Sequence, residues 1–320
     1  MRAIRVDALG AAPRLDVQAQ APEPGPGEVL VAVRACGLNF ADLLMIEGRY
    51  QERQAPPFTL GMEVAGEVLA VGAGVAGFAV GDRVAGFPGH GGLASRAVVP
   101  AARCVAMPEA MDFVTGAAFQ VAYGTSHLAL TDAAGLRAGE TLLVLGAAGG
   151  VGLTAVEIGA RMGARVIAVA RGADKLAVAQ AAGAAHLIDS TSADLRAEVK
   201  ALGGADVVYD PVGDPDFTAA LRAARPGGRI LVIGFASGEV PQIPANLLLV
   251  KNLSVIGFYW GGHLAFAPDR LTRSLAELMG WYVQGHLKPH VSHVLPLERA
   301  AEGLELLRSR ASTGKVVITP

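Results

Sequence analysis

Two textures of apolar and polar positions divide the chain. From 141 to 258, short unbroken apolar runs alternate with longer segments in which apolar and charged residues mix. The runs at 142–145, 166–170, 186–188, 207–209, 230–233 and 253–257 show no in/out alternation, so each predicts a strand buried on both faces. Helical segments between them, one near 174–182, make the set a doubly wound parallel sheet. Before 105, β-branched runs at 3–6, 29–35, 64–71 and 83–87 are separated by turn chemistry: Pro22-Glu-Pro-Gly-Pro-Gly-Glu28, Gly72-Ala-Gly74 and Gly81-Asp82. Strands that double back on such turns predict a small antiparallel barrel, with a helical excursion over 39–47. Helical patterns over 114–129, 271–283 and 297–309 and a strand over 315–319 complete the set. The tail has no βαβ texture and is expected to return to the first domain. The expected organisation is a discontinuous domain of 1–123 with 264–320 and a second domain of 124–263.

The first strand of the parallel set runs into Gly146-Ala-Ala-Gly149-Gly150-Val-Gly152 and then a helix. Backbone N–H groups at a helix N-terminus bind a diphosphate, provided that no Cβ blocks the close approach. Glycine turns alone are common; a strand before this one and a strand–helix pair after it make it a dinucleotide-binding βαβ unit. Ala148, Gly149, Gly150, Val151 and Gly152 are the candidate diphosphate contacts. An acid at the end of the second strand selects NAD by bonding the ribose 2′-hydroxyl and repels a 2′-phosphate. Here that strand ends Val169-Ala170-Arg171, with Lys175 four residues on. Cations without an acid favour NADP(H), although both residues also read as ordinary solvated helix-start side chains.

Composition narrows the class. A length of 320 residues, with 52% hydrophobic and 18% charged, fits a two-domain globular enzyme. A net charge of −2 gives no electrostatic reason to expect nucleic acid as a partner, and no basic stripe interleaved with aromatics is present. Two cysteines, Cys36 and Cys104, are too few for a disulfide framework or a four-cysteine zinc site. No apolar run approaches a membrane span, and Met1-Arg-Ala-Ile-Arg-Val-Asp7 carries charge where a signal peptide needs its apolar core. The expectation is a cytoplasmic protein with no membrane partner.

Five separated stretches carry a family resemblance: Gly37-Leu-Asn-Phe-Ala-Asp42, Gly61-Met-Glu-Val-Ala-Gly66, Gly81-Asp-Arg-Val84, Ala147-Ala-Gly-Gly-Val-Gly152 and Gly314-Lys-Val-Val-Ile318. Together they resemble the zinc-independent, zeta-crystallin-like quinone oxidoreductase branch of the medium-chain dehydrogenase/reductase superfamily. The resemblance implies a GroES-like β-barrel catalytic domain built from both termini and a Rossmann domain inserted in it. In that alignment Asn39 stands where zinc-dependent relatives have a catalytic cysteine, and Met62 where they have a histidine ligand. Neither suits zinc, which takes thiolate and imidazole, so no metal is expected. Cys36 reads as a small buried hydrophobe, and Asp42 and Glu63 as carboxylates paired with arginines or capping turns. The histidines His286, His290 and His293 are interrupted by Pro289 and read as solvent-facing.

The implied chemistry is metal-free hydride transfer from NADPH to a quinone, or to another α,β-unsaturated carbonyl such as a 2-enoyl thioester. Their developing anion is delocalised and needs only a hydrogen-bond donor. The resemblance places Asn39 beside the nicotinamide–ribose and Tyr50 at the substrate cavity, where its hydroxyl is either a proton donor or a packed surface aromatic. It places Thr125 near the diphosphate or nicotinamide, and Gly234, Phe235 and Phe258 at strand ends where backbone groups hold the carboxamide. Ser190 takes the place of a family tyrosine beside the phosphate, and Lys315 is a candidate adenosine-phosphate contact. Arg49 and Arg53 would greet a coenzyme A or carrier arm in an enoyl thioester reductase. A non-catalytic, crystallin-like or RNA-binding role is a third reading. The apolar stretch 247–250, on an edge that family members pair across a two-fold axis, points to a homodimer.

Overall fold

A computed structural model describes residues 1–320 and divides them into two compact units. The first comprises Met1–Val121, Leu275–Gln284 and Pro289–Pro320; the second comprises Ala122–Ser274 and Gly285–Lys288. The sequence-based boundary put 122–123, 264–274 and 285–288 in the first unit; their packing groups them with the second.

The first unit opens with β1 (Ala3–Val6), β2 (Arg14–Asp16), β3 (Glu28–Gly37), helix α1 (Phe40–Ile46), β4 (Phe58–Thr59), β5 (Glu63–Val71), β6 (Arg83–Gly86), β7 (Arg96–Pro100), β8 (Cys104–Ala106) and α2 (Phe113–Ala117). A three-stranded sheet has the order β2-β1-β4. The central strand β3 alternates little, burying Val29, Leu30, Val31, Val33, Ala35 and Cys36, and β5 and β7 both pair with it.

In the second unit, α3 (Gln120–Leu128, whose first two residues still belong to the first unit) leads to β9 (Thr141–Val144), α4 (Gly150–Arg161), β10 (Arg165–Ala170), α5 (Ala173–Ala181), β11 (His186–Asp189), α6 (Leu195–Ala201), β12 (Ala205–Asp210), α7 (Asp216–Ala223), β13 (Ala224–Val232), α8 (Ala245–Lys251), β14 (Ser254–Gly257) and the short α9 (His263–Phe266). The sheet order β11-β10-β9-β12-β13-β14 is parallel throughout and reverses direction between β9 and β12. Ligands of open parallel sheets bind at such a switch point, beyond the carboxyl ends of the strands. Its core joins Leu143, Leu145, Ile167, Val169, Val208, Phe217 and Ile230, all below 2% exposed, as unbroken apolar runs require.

Helix α10 (Pro268–Val283) bridges the sequence back to the first unit, where β15 (Val291–Pro296), α11 (Ala300–Arg308) and β16 (Lys315–Thr319) complete a seven-stranded sheet. Its path is β15-β16-β3-β5-β6-β8, with β7 on β3. Strand β16 pairs antiparallel with the end of β3, Val317 opposite Gly37 and Ile318 opposite Cys36. Continued, that register sets Lys315 against Asn39.

Candidate active site

The second unit carries the dinucleotide features. Gly146 turns the chain at φ +57° as it leaves β9, and Gly149 caps the N-terminus of α4. At Gly152 a Cβ would stand 2.2 Å from the Gly146 carbonyl oxygen, so only glycine permits the helix to start this close to the strand end. The first N–H groups of α4, at Gly150, Val151 and Gly152, have no acceptor within the helix and, with Ala148 and Gly149 beside them, form a cradle for an anion. Helix α3 is tied to this start. The Ser126 hydroxyl donates to the Val151 carbonyl at 2.9 Å and lies within 3.0 Å of the hydroxyls of Thr154 and Tyr209. Thr125, buried, precedes that anchor.

Beyond β10 and β11, Arg171 and Ser190 follow register partners Ala170 and Asp189 and so lie side by side at the carboxyl edge. Arg171 is exposed and Lys175, in the first turn of α5, half-buried. One acid does stand at this edge. The carboxylate of Asp189 accepts from Gly172 N (3.2 Å), Thr191 N (3.0 Å) and the Thr191 hydroxyl (2.8 Å), bonds that hold its carboxyl below the usual range. Asp210, at the end of β12, is buried and accepts from Val212 N (2.7 Å) and Gly213 N (3.0 Å), shaping the next strand-end turn. Burial pushes it up to about 6. Neither acid was singled out from the sequence, where only the apolar run ending in Tyr209-Asp210 before Pro211 hinted at a strand-end carboxylate. Gly234 and Phe235 follow β13, with Gly234 N donating to the Asp210 carbonyl at 3.3 Å, and Phe258 follows β14, its N–H donating to Val232 O at 3.0 Å. Phe235 is exposed, whereas Phe258 is buried with its ring 5.1 Å from that of His263.

The first unit holds a second polar centre. Asn39 is the N-cap of α1, and Asp42 accepts from the Asn39 N–H (2.8 Å) and from Gly61 N (3.2 Å). The Lys315 ammonium donates to Leu38 O, Asn39 Oδ1 and Glu63 Oε1, each at 2.7 Å. Asn39 Nδ2 donates to Glu63 Oε1 at 2.9 Å, and the other Glu63 oxygen accepts from Val121 N at 2.9 Å. Lys315 is 5% exposed and Glu63 1%. This corrects the expected role of Lys315: its three protons are spent inside the first unit, leaving none for an adenosine phosphate. Glu63, expected to pair with an arginine or cap a turn, pairs with a lysine and also accepts from Val121 N in the first turn of α3. Tyr50 is half-buried in the loop after α1, with its N–H on Leu44 O at 3.2 Å. Arg49 pairs with Glu47 at 3.2 Å, and Arg53 is exposed. Gln120 is 1% exposed, and neither amide atom of its side chain has a hydrogen-bond partner.

Residues 25–109 match the family described as alcohol dehydrogenase GroES-like domain, and residues 150–279 match that described as zinc-binding dehydrogenase. A quinone oxidoreductase-like protein 2 homolog of Nematostella vectensis is 40% identical over 99% of this chain and 88% of its own length. The chain belongs to the quinone oxidoreductase branch of the medium-chain dehydrogenase/reductase superfamily. Solved structures of that branch agree in fold. The Escherichia coli quinone oxidoreductase complexed with NADPH superposes with a TM-score of 0.94 at 29% identity, and the Thermus thermophilus quinone oxidoreductase with 0.87 at 34%, each over the whole of both chains.

The description of the second match raises the question of zinc. At Asn39, Met62 and Glu63 the donors are an amide, a buried thioether and a carboxylate already committed to an ammonium. Burial pushes the Cys36 thiol well up and Cys104 to about 12, so neither supplies a thiolate at neutral pH. A fixed ammonium in the middle of the set offers no lone pair and repels a dication. These residues do not fit a zinc ion.

Proposed function

We propose that the protein is an NADPH-dependent quinone oxidoreductase, a cytoplasmic homodimer with no nucleic-acid partner. The observation that carries the reading is the filled polar centre at Asn39, Glu63 and Lys315: it has no donor set for a Lewis acid. An acceptor reduced there must delocalise its own developing charge, which quinones and enones do.

Bound NADPH would supply a hydride. The α4 N-terminus from Ala148 to Gly152 holds the diphosphate, with Thr125 at its flank, and Arg171, Lys175 and Ser190 take the 2′-phosphate. Asp189 stands at the same edge as an anion, its Oδ1 turned to Gly172 N, Thr191 N and the Thr191 hydroxyl, and the two cations Arg171 and Lys175 outnumber it. Backbone groups of Gly234, Phe235 and Phe258 hold the carboxamide. Asn39 orients the nicotinamide–ribose, and the Tyr50 hydroxyl gives a hydrogen bond or proton to the quinol oxygen. For the homodimer, support comes from α8 and the edge strand β14: Leu249 and Val250 are adjacent, apolar and 78% and 71% exposed beside that open sheet edge.

The test is the loss of NADPH absorbance on mixing with an ortho-quinone, and separately with a short enoyl thioester, with NADH as control. Quinone turnover with NADPH preferred supports the reading. Turnover of the thioester alone replaces it with an enoyl reductase and directs attention to Arg49 and Arg53. Arg171→Glu raises the NADPH dissociation constant by roughly 10- to 100-fold while leaving NADH within a few-fold; equal losses for both would remove Arg171 from the phosphate.

A further inference from the structure

The Asn39 amide is the one group of the polar centre with a side-chain N–H not spent on another member of that centre. Its Oδ1 faces the Lys315 ammonium and one Nδ2 proton faces Glu63, so turning the amide over would set NH2 against an ammonium and oxygen against a carboxylate. The amide therefore has a single orientation. Its second N–H reaches only the Gly37 carbonyl, at 3.4 Å, a long contact that a better acceptor displaces. An ammonium drawing electron density through Oδ1 makes that N–H a stronger donor, because hydrogen bonds in series polarise one another where water is excluded.

We propose that Lys315 is a positioning residue for hydride transfer, a cation fixed where zinc-dependent relatives are inferred to hold a metal, which orients and polarises the Asn39 amide toward a ligand oxygen. This rests on the oxidoreductase reading above. The sheet delivers the ammonium without a loop: β16 runs antiparallel to β3 so that Lys315 lies opposite Asn39, and Leu38 N donates to Val316 O at 2.9 Å beside it. Glu63 balances the charge and fastens α3 through Val121. Where a metal would withdraw density by binding the acceptor oxygen directly, here the same pull is relayed through an amide, a weaker effect suited to a quinone.

Removing the lysine alone strands Glu63 in the interior, so the informative variant is Glu63→Gln/Lys315→Met, in which both charges go. We measure its melting temperature, its NADPH affinity by fluorescence, and quinone reduction, beside Asn39→Ala and the triple variant. The double variant should melt within a few degrees of wild type and bind NADPH within about twofold, yet lose about tenfold in kcat. The triple variant should be no worse than Asn39→Ala, since the lysine acts through that amide. Wild-type kcat in the double variant would reduce Lys315 to a counter-ion and overturn the proposal; so would losses that add to Asn39→Ala. A readout independent of turnover is the Asn39 side-chain amide in 15N spectra, located by its absence in Asn39→Ala. Two resolved, slowly exchanging protons are expected in wild type and their loss in the double variant; unchanged signals would overturn the positioning role. If wild type reduces no quinone, the functional reading fails while this spectrum still decides the role of Lys315.

Discussion

Asp42 should make the first unit less stable as pH rises, the reverse of the usual carboxylate. The side chain is fully buried, and burial outweighs the backbone donors Asn39 N and Gly61 N and the attraction of Lys315, lifting it from 3.8 to about 6. A carboxyl whose folded value lies above its unfolded one binds an extra proton on folding. Its contribution is therefore complete below about pH 3.8 and is lost as pH rises through 6. A shift of about 2 units corresponds to about 3 kcal/mol. The perturbation is Asp42→Asn, which keeps one acceptor for the two N–H groups and abolishes the titration. Trp281 belongs to the first unit and Trp260 to the second, and they are the only tryptophans. Urea unfolding followed by Trp281 fluorescence in a Trp260→Phe background, at fixed protein concentration, thus reports the unit that holds Asp42. Between pH 4 and 7 the wild-type protein should lose about 3 kcal/mol relative to Asp42→Asn. Parallel curves for the two proteins would refute the reasoning by showing that Asp42 ionises in the fold as it does in water. Exposed Glu302, whose carboxyl Arg299 holds low, acts in the opposite sense, but equally in both proteins, so the difference isolates Asp42.

Three further outcomes follow from the geometry. Gly152→Ala should lower NADPH affinity at least 100-fold in a binding titration or prevent folding altogether, because its Cβ meets backbone at 2.2 Å that no rotamer relieves. Gln120→Leu removes two buried polar atoms that have no partner, and should raise stability to urea by about 1–3 kcal/mol; a loss of stability would mean that an ordered water or ligand satisfies the amide. Leu249→Asp/Val250→Asp should shift the elution of the protein from dimer to monomer in size-exclusion chromatography without lowering its melting temperature in dilute solution, and an unchanged elution volume would discard α8 as an interface.

The parallel strands were legible because each is covered on both faces, which leaves an unbroken apolar run. β13 begins earlier than expected only because Arg225-Pro226-Gly227-Gly228 reads as a turn, yet Ala224 already pairs with Ala205 across an irregular register. Strands β7 and β15 were missed for other reasons: β7 is a short run that ends at Pro100, and in β15 Ser292 and His293 are half-buried, so its pattern looks like polar loop. The helix expected over 114–129 is two, α2 and α3. Asp112 caps α2 through Thr115 N at 2.7 Å, while Val121 N gives its proton to Glu63, a carboxylate 58 residues away. Propensity alone could not announce that interruption, since the competing acceptor is tertiary.

The same distinction separates the two parts of the candidate site. The proposed diphosphate cradle is made by one strand, one turn and one helix, so its glycine turn and helix start could be read directly from spacing. The polar centre draws on the end of β3, the start of β5, the first turn of α3 and the first residue of β16, and its decisive ion pair joins residues 252 apart. In sequence Lys315 is a cation at the head of an apolar strand, a position from which surface exposure is the ordinary inference. What overrides that inference is register: a strand fixed by the pairing of Val317 with Gly37 has no freedom to turn Lys315 outward. A buried ammonium is tolerated only with acceptors for all its protons and a carboxylate for its charge. The carboxylate, the carbonyl and the amide oxygen found there are therefore requirements of one another, and Asn39 owes its orientation to that mutual demand rather than to any feature of its own segment.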